Sequence, residues 1–253
     1  MTGLAIRWSS IFADVPAADF ESERVFWQQV AAARAGEPRG ARGEFLPLRP
    51  DGGDPVVWLQ RVDRPAERGG WHLDLHVPDV EAAAQSAVHL GASIERQRDG
   101  LVTLSSPAGQ PFCVVVEDSG RVRCQGEATT WPEGYRTRVD QLCMDIPASV
   151  FDDEGAFWSE LTGWSRRHGE RPEFDNLLPP LGLPVRILLQ RLEGAGDRIG
   201  AHADLACDDV PAETARHEAL GAKVVRLDDA WTTMRDPAGL TYCITSRRAG
   251  DGQ

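Results

Sequence analysis

The chain has 253 residues, of which 42% are hydrophobic and 26% charged, with a formal net charge of −12. That size predicts one or two domains of ordinary dimensions. The acidic balance speaks against a general nucleic-acid binder and against attraction to anionic membranes. The opening residues, Met1 to Trp8, have neither a basic start nor a long apolar run, so no signal peptide is expected. No stretch approaches the roughly 18 apolar residues of a membrane span. Five cysteines without CxxC spacing fit a reducing interior, and a cytoplasmic location is expected.

The first predicted element is a strand from Ser10 to Val15. Ile11, Ala13 and Val15 alternate with Ser10, Phe12 and Asp14, a period of two. Pro16 closes it. A helix is expected over Asp19 to Ala35, where Phe20, Val25, Phe26 and Val30 fall at near-helical spacing, stopped by Gly36 and Pro38. The runs 36–43 and 50–55 read as loops, with a short strand at Glu44 to Leu48 between them. Val56 to Val62 is a stronger strand, and a charged loop at 63–70 follows.

His72 to Val77 places Leu73, Leu75 and Val77 on one face and His72, Asp74 and His76 on the other. Asp79 is a suitable N-cap for a helix from Glu81 to Leu90, which Gly91 ends. Strands are expected around Ile94, from Leu101 to Ser105, and from Pro111 to Glu117. Residues 121 to 135, without apolar period, read as a linker.

The second half repeats this order. His202-Ala203-Asp204-Leu205 echoes His72-Leu73-Asp74-Leu75 at a constant offset of 130, and about a third of positions 71–116 equal their partners in 201–246. A self-match at fixed period defines the folding unit, here half the chain. The strand Gln141 to Ile146 sets Leu142, Met144 and Ile146 against Gln141, Cys143 and Asp145. Phe157-Trp158 echoes Phe26-Trp27 at offset 131, and Leu189-Gln190-Arg191 echoes Leu59-Gln60-Arg61. A helix capped by Asp209, with Pro211 in its first turn, runs to Leu220. The expected division is 1–120, a linker at 121–135, and 136–253. Each half is strand–helix–strands used twice, with helices on one face of a sheet that leaves a cleft on the other when it curls.

The Phe-Trp helix, Leu-Gln-Arg strand, His-x-Asp-Leu strand, Leu-Gly-Ala helix end and Asp236-Pro237-Ala238-Gly239 turn occur in order. This pattern resembles the glyoxalase-like branch of the vicinal oxygen chelate superfamily over roughly 8–117 and 139–246. The resemblance implies an α+β fold of two tandem domains, each built from two βαβββ modules curled around a cleft. It leaves the chemistry open, since metal enzymes and metal-free binding proteins share the fold.

In the metal enzymes of that group, ligands come from the first and last strand of each module, usually His, Gln or Glu. Carried over, the positions are Ser10, Gln60, His72 and Cys113 in the first half, and Gln141, Gln190, His202 and Cys243 in the second. Neither set includes a carboxylate, which hard divalent ions favour, so a metal-free cleft is the first expectation. Any divalent ion (Zn, Ni, Fe or Mn) is expected in the second half on Gln141, His202 and Cys243, with Asp204 as a substitute carboxylate. His202 and Asp204 are the candidate catalytic pair. Trp58, Asp74 and His76 complete the expected cleft, with Trp71 and Trp231 lining or rimming a pocket or else sealing the core. Cys113 and Cys243 have an alternative reading as small buried hydrophobes, and His72 and His202 as structural hydrogen-bond formers. Trp27 and Trp158 are read as core, and His89 and His217 as surface residues. His168, in a charged loop, supports no reading. No Ser/His/Asp triad and no phosphate-binding glycine motif is legible. The expected function is binding of a small, partly apolar molecule without an essential metal. A metal-dependent lyase, isomerase or dioxygenase acting in the second half is the alternative. Nucleic acid and membrane are not expected partners, and the tandem can substitute for a dimer.

Overall fold

A computed structural model describes residues 3–64, 70–117, 120–193 and 198–249; most of the charged loop expected at 63–70 therefore lies outside the described residues. The first half forms β1 (Trp8–Pro16), α1 (Phe20–Val30), β2 (Ala33–Ala35), β3 (Phe45–Pro50) and β4 (Val57–Val62). It continues with β5 (Trp71–Val77), α2 (Val80–His89), β6 (Ser93–Arg98), β7 (Leu101–Ser105) and β8 (Pro111–Val116). After β9 (Thr129–Thr130), the second half gives β10 (Arg136–Pro147), α3 (Phe151–Thr162), β11 (Ser165–His168), β12 (Phe174–Leu178) and β13 (Arg186–Leu192). It closes with β14 (Gly200–Cys207), α4 (Val210–Ala219), β15 (Lys223–Leu227), β16 (Trp231–Arg235) and β17 (Thr241–Thr245).

Each half is one mixed sheet. The strand orders are β2-β3-β4-β1-β5-β8-β7-β6 and β11-β12-β13-β10-β14-β17-β16-β15, the same topology twice, with β9 paired to β10 outside that order. Two βαβββ modules meet in each sheet along an antiparallel central pair, β1 with β5 and β10 with β14. The α+β architecture that the resemblance implies is thus present in both halves.

The helix expected to reach Ala35 stops at Val30. Ala32 adopts φ 46°, a left-handed conformation that breaks the α-helical path, and Ala33–Ala35 turns instead into the edge strand β2. Within the expected linker, Thr129–Thr130 pairs with Arg136 and Thr137. The second-half central strand starts earlier than Gln141, because Thr137 to Val139 already pairs with β14. Asp79 and Asp209 cap their helices as read, accepting from the amides of Ala82 and Ala212.

The two sheets pack through the faces that carry Ile11, Leu73, Phe112, Leu142, Leu205 and Tyr242, and their buried apolar residues make one continuous cluster. The helices cross this seam. Trp27 of α1 lies edge-on to Trp71 of its own half and Tyr242 of the other, with centroids 5.0 and 5.2 Å away. Trp158 of α3 lies 5.1 Å from Phe112 of the first half. Both tryptophans are fully buried, so each half completes the core of its neighbour. The opposite faces are left to form clefts. Among the described residues no helix is long and apolar enough to cross a membrane.

Candidate functional site

Strand period builds the second-half site. Leu142, Met144 and Ile146 of β10 point into the core and are fully buried, which turns Gln141, Cys143 and Asp145 to the other face. In β14, Ala203 and Leu205 are core, and His202 and Asp204 face the cleft. Register then brings residues distant in sequence together: Cys143 sits opposite His202, Gln141 opposite Asp204, Asp145 opposite Gln190 and Asp204 opposite Cys243. The pairing slips between Val139 and Gln141, a bulge at Asp140 whose carboxylate takes both Nη atoms of Arg247 at 3.1 and 2.7 Å.

The result is a cleft of about 260 Å³, slightly below the about 300–1,000 Å³ of drug-sized sites. Phe174 and Trp231 form an aromatic corner with centroids 5.8 Å apart. The Arg171 guanidinium covers Trp231 at 4.7 Å while bonding Asp228 at 2.9 Å. Leu188, Asn176 and Gln190 line the same space.

On the floor, both ring nitrogens of His202 face carboxylates. Nδ1 stands 3.0 Å from Asp145 and Nε2 3.3 Å from Asp204. Two acceptors on one imidazole suit the doubly protonated ring. Burial opposes that charge, but Cys143, Asp145 and Cys243 outweigh it, and His202 is raised well above the ordinary imidazole value. Burial raises the Asp204 carboxyl, against the pull of His202 and Arg247. Asp204 accepts from Gln141 through one oxygen, and its other oxygen is buried without a hydrogen bond. Burial also pushes the Cys143 thiol upward. Its Sγ stands 3.6 Å from the Gln190 oxygen, and Cys243 Sγ the same distance from Thr233 Oγ1.

The first half repeats the floor but not the space. His72 lies between Asp14 at 3.3 Å and Asp74 at 3.5 Å, and Cys113 lies beside Thr103 at 3.6 Å. Phe12, where the second half has Cys143, stacks on His72 at 5.1 Å and on Trp58 at 5.4 Å. Trp58 stands where the second half has Leu188. The two rings occupy the volume that is open in the other half.

Ser10 is diverted from the floor. Its hydroxyl meets His76 Nε2 at 3.1 Å, and His76 Nδ1 meets Glu117 at 3.1 Å. Burial works against ionised Glu117, but His76 and Arg123 bring it down to about 2. Hydroxyl, imidazole and carboxylate stand in the order of a hydrolase triad, yet Ser10 is fully buried and Arg123 already holds the carboxylate. The chain of bonds ties β1, β5 and the end of β8 together.

Of the residues singled out from the sequence, Gln141, Gln190, His202, Asp204 and Cys243 come together in the second cleft. His72, Asp74, Cys113 and Trp58 come together beneath Phe12. Gln60 is half-buried on β4 beside Asp14 in register. Trp231 is on the cleft wall. Trp71 is not on a pocket: it is fully buried in the seam and donates to Thr241 O at 3.1 Å, since it shares the parity of Leu73 and Leu75. Trp27 and Trp158 are core. His89 is exposed, but the reading of His217 as a surface residue fails. It is fully buried, 2.8 Å from Glu213 and 2.9 Å from the Tyr242 hydroxyl, because the polar neighbours that suggested exposure are its buried partners. His168 ends β11 and meets Asp175 at 2.7 Å. The reading that each floor has no carboxylate of its own missed Asp14 and Asp145. Their signal was present, as each shares the face of Ser10 or Gln141. Arg247 carried no periodic signal at all.

Three groups among the described residues place metal-ligating types together: His72 with Asp74 and Cys113, Cys143 with Asp145 and His202, and His202 with Asp204 and Cys243. The donor chemistry fits a hard ion poorly. Mn²⁺ favours several oxygen ligands, and each group here is one imidazole, one carboxylate and one thiol. Asp145 already holds His202 Nδ1, and Gln141 directs its amide N–H, not its oxygen, at Asp204.

A family model described as Glyoxalase-like domain matches residues 10–115 and again 141–245. No curated protein matches the sequence. Among solved structures, the Mn(II)-bound glyoxalase from Novosphingobium aromaticivorans is 17% identical with a TM-score of 0.65, covering 100% of this chain and 87% of that one. An extradiol ring-cleaving dioxygenase from B. fuscum is 15% identical with a TM-score of 0.61, covering 99% and 74%. A xylose isomerase-like TIM barrel/4-hydroxyphenylpyruvate dioxygenase fusion protein is 16% identical, with a TM-score of 0.61 and 99% of this chain covered. The chain spans about half of that protein's length, 51%. At these identities the likeness is one of fold.

Proposed function

Because the chain belongs to the glyoxalase-like domain family, we propose that it binds a small, planar, partly apolar molecule in its second-half cleft without an essential metal. The carrying observation is the Phe174–Trp231 corner above the His202 floor. Aromatic walls with a few convergent polar groups are what a small-molecule site requires, and the volume limits the occupant to one or two rings. The first half, filled by Phe12 and Trp58, acts as scaffold. This reading takes each sheet as a domain, with 121–135 between 1–120 and 136–253, and lets the tandem substitute for a dimer. The five free cysteines support a reducing, cytoplasmic setting.

The floor also defines the chemistry available to the chain. A protonated His202 is an acid, able to give its proton to a basic atom of a bound molecule. Asp145 would hold the ring, and Asp204, whose carboxyl burial raises, would bond the same ligand. The competing reading, a metal-dependent lyase, isomerase or dioxygenase, rests on the grouping of His202, Asp204 and Cys243.

Calorimetry of the full chain with indole and naphthol probes, beside metal analysis of protein purified without chelator, decides between them. Binding that Trp231→Ala weakens at least tenfold, with metal well below one equivalent, is the expected result. Near-stoichiometric metal that His202→Ala removes would overturn it.

A further inference from the structure

Helix α1 of the first half meets the turn between β16 and β17 of the second through two buried acids. Glu23 is fully buried and Asp236 nearly so. Their bonds leave one atom over. Asp236 Oδ1 accepts from Leu240 N at 2.7 Å and Oδ2 from Trp27 Nε1 at 3.1 Å. Glu23 Oε1 accepts from Ala238 N at 2.7 Å. Glu23 Oε2 is buried and has no donor, although the two carboxyl groups lie within hydrogen-bond reach of one another. Two carboxylates can meet in this way only if one carries a proton, and the one oxygen without a donor is Glu23 Oε2.

The matching seam on the other side lacks this arrangement. There Glu154 Oε2 accepts from Ala108 N at 2.9 Å and Oε1 from Trp158 Nε1 at 2.7 Å. Ser106 stands in the place of Asp236 and bonds the amide of Gln110. Glu154 has donors for both oxygens.

We propose that Glu23 and Asp236 share a proton and act as a pH-operated clasp between the halves, closed when Glu23 is protonated and loosened when it ionises. The turn it holds, 236–240, joins the two strands that carry Trp231, Thr233 and Cys243. Loosening the clasp therefore frees one wall of the cleft, a consequence for ligand binding that rests on the function proposed above. Burial and the neighbouring Asp236 raise Glu23, and burial raises Asp236, so the opening falls well above the ordinary carboxylate range.

Among the described residues, the charged and titratable groups facing the pair are few. Trp27 and the turn amides supply dipoles. From β17, Tyr242 presents its ring, with its hydroxyl on His217, and behind it stand Glu213 and Arg216 of α4. Of these Glu213 is held down to about 2 and Tyr242 is pushed up by burial. Burial keeps His217 low against Glu213's pull. The proton shared by Glu23 and Asp236 is therefore the one on which this contact depends.

The test is thermal unfolding of the full chain from pH 6 to 9.5, wild type beside Glu23→Gln. The glutamine amide can donate to Asp236 at every pH, so the melting temperature of Glu23→Gln should rise relative to wild type as pH increases. A gap widening by about 3 °C or more is expected for a protein of this size. Asp236→Asn, which leaves Glu23 a neutral partner, should flatten the dependence too and serves if Glu23→Gln folds poorly. Hydrogen exchange in 231–245, compared between wild type and Glu23→Gln at each pH, reads the cleft wall directly. Loss of protection in wild type alone is expected at high pH. A constant gap, or the same widening for Glu154→Gln, overturns the clasp. Loss of indole binding at all pH values with an intact clasp would instead overturn the binding function.

Discussion

His202 Nδ1 stands 3.0 Å from an Asp145 oxygen across the central strand pair of the second sheet. The same contact recurs between His72 and Asp14 at 3.3 Å. In both halves the ring's other nitrogen faces a second aspartate two residues along its own strand. Repetition of this carboxylate–imidazole–carboxylate unit on two floors, one open and one filled, argues that it is first a structural device. What the second half adds is access.

His202 is expected to remain protonated through neutral pH, because its folded-state value is raised well above 6.5. A group bound more tightly to its proton in the folded state stabilises fully below its unfolded value, and that stability is lost as pH rises through its folded value. Urea unfolding of wild type and His202→Gln should therefore differ most near pH 5–6 and converge above the folded value. Ring ¹⁵N shifts showing a neutral His202 at pH 7 would contradict this.

Asp145→Ala removes one of the two carboxylates. The Asp145 side chain is 30% exposed, so the loss is expected at about 1–2 kcal/mol rather than the 3–5 of a fully buried pair. The His202 titration should move to lower pH. Equilibrium denaturation together with the ring titration measures both, and an unmoved titration refutes the pairing.

Phe12→Cys with Trp58→Leu gives the first half the residues of the second. Removing two stacked rings from a filled cleft should cost about 3–6 kcal/mol. It should also open a second binding space, raising the stoichiometry for an aromatic probe from one to two. If stability falls and stoichiometry stays at one, the rings are not what closes the first cleft.

Manganese is expected to bind the full chain no more tightly than millimolar, since the floor offers a mixed imidazole, carboxylate and thiol set with its imidazole already engaged. Titration calorimetry with MnCl₂ measures this. Micromolar binding lost in Asp204→Asn would reverse the assignment.

The amino-acid order by itself determined the unit of folding and the faces of its strands. Repetition at an offset of 130 gave two halves of the same topology. Alternation separated Leu142, Met144 and Ile146 from Gln141, Cys143 and Asp145 because strand side chains alternate with period two. It even set Trp71 with the core residues Leu73 and Leu75. Alternation cannot say which polar residues meet. His202 faces Asp145, and Ser10 faces His76 rather than His72, only once distant strands fall into register, and that register is fixed by how the aliphatic faces pack. Helix-borne His217 looked exposed because its partners, Glu213 and Tyr242, are polar at one end and are buried by a neighbouring strand. Phe12 closed the first cleft by volume, a property of three strands together. The Glu23–Asp236 contact spans 213 positions and two halves, so only the packing of one sheet against the other could bring those two acids together.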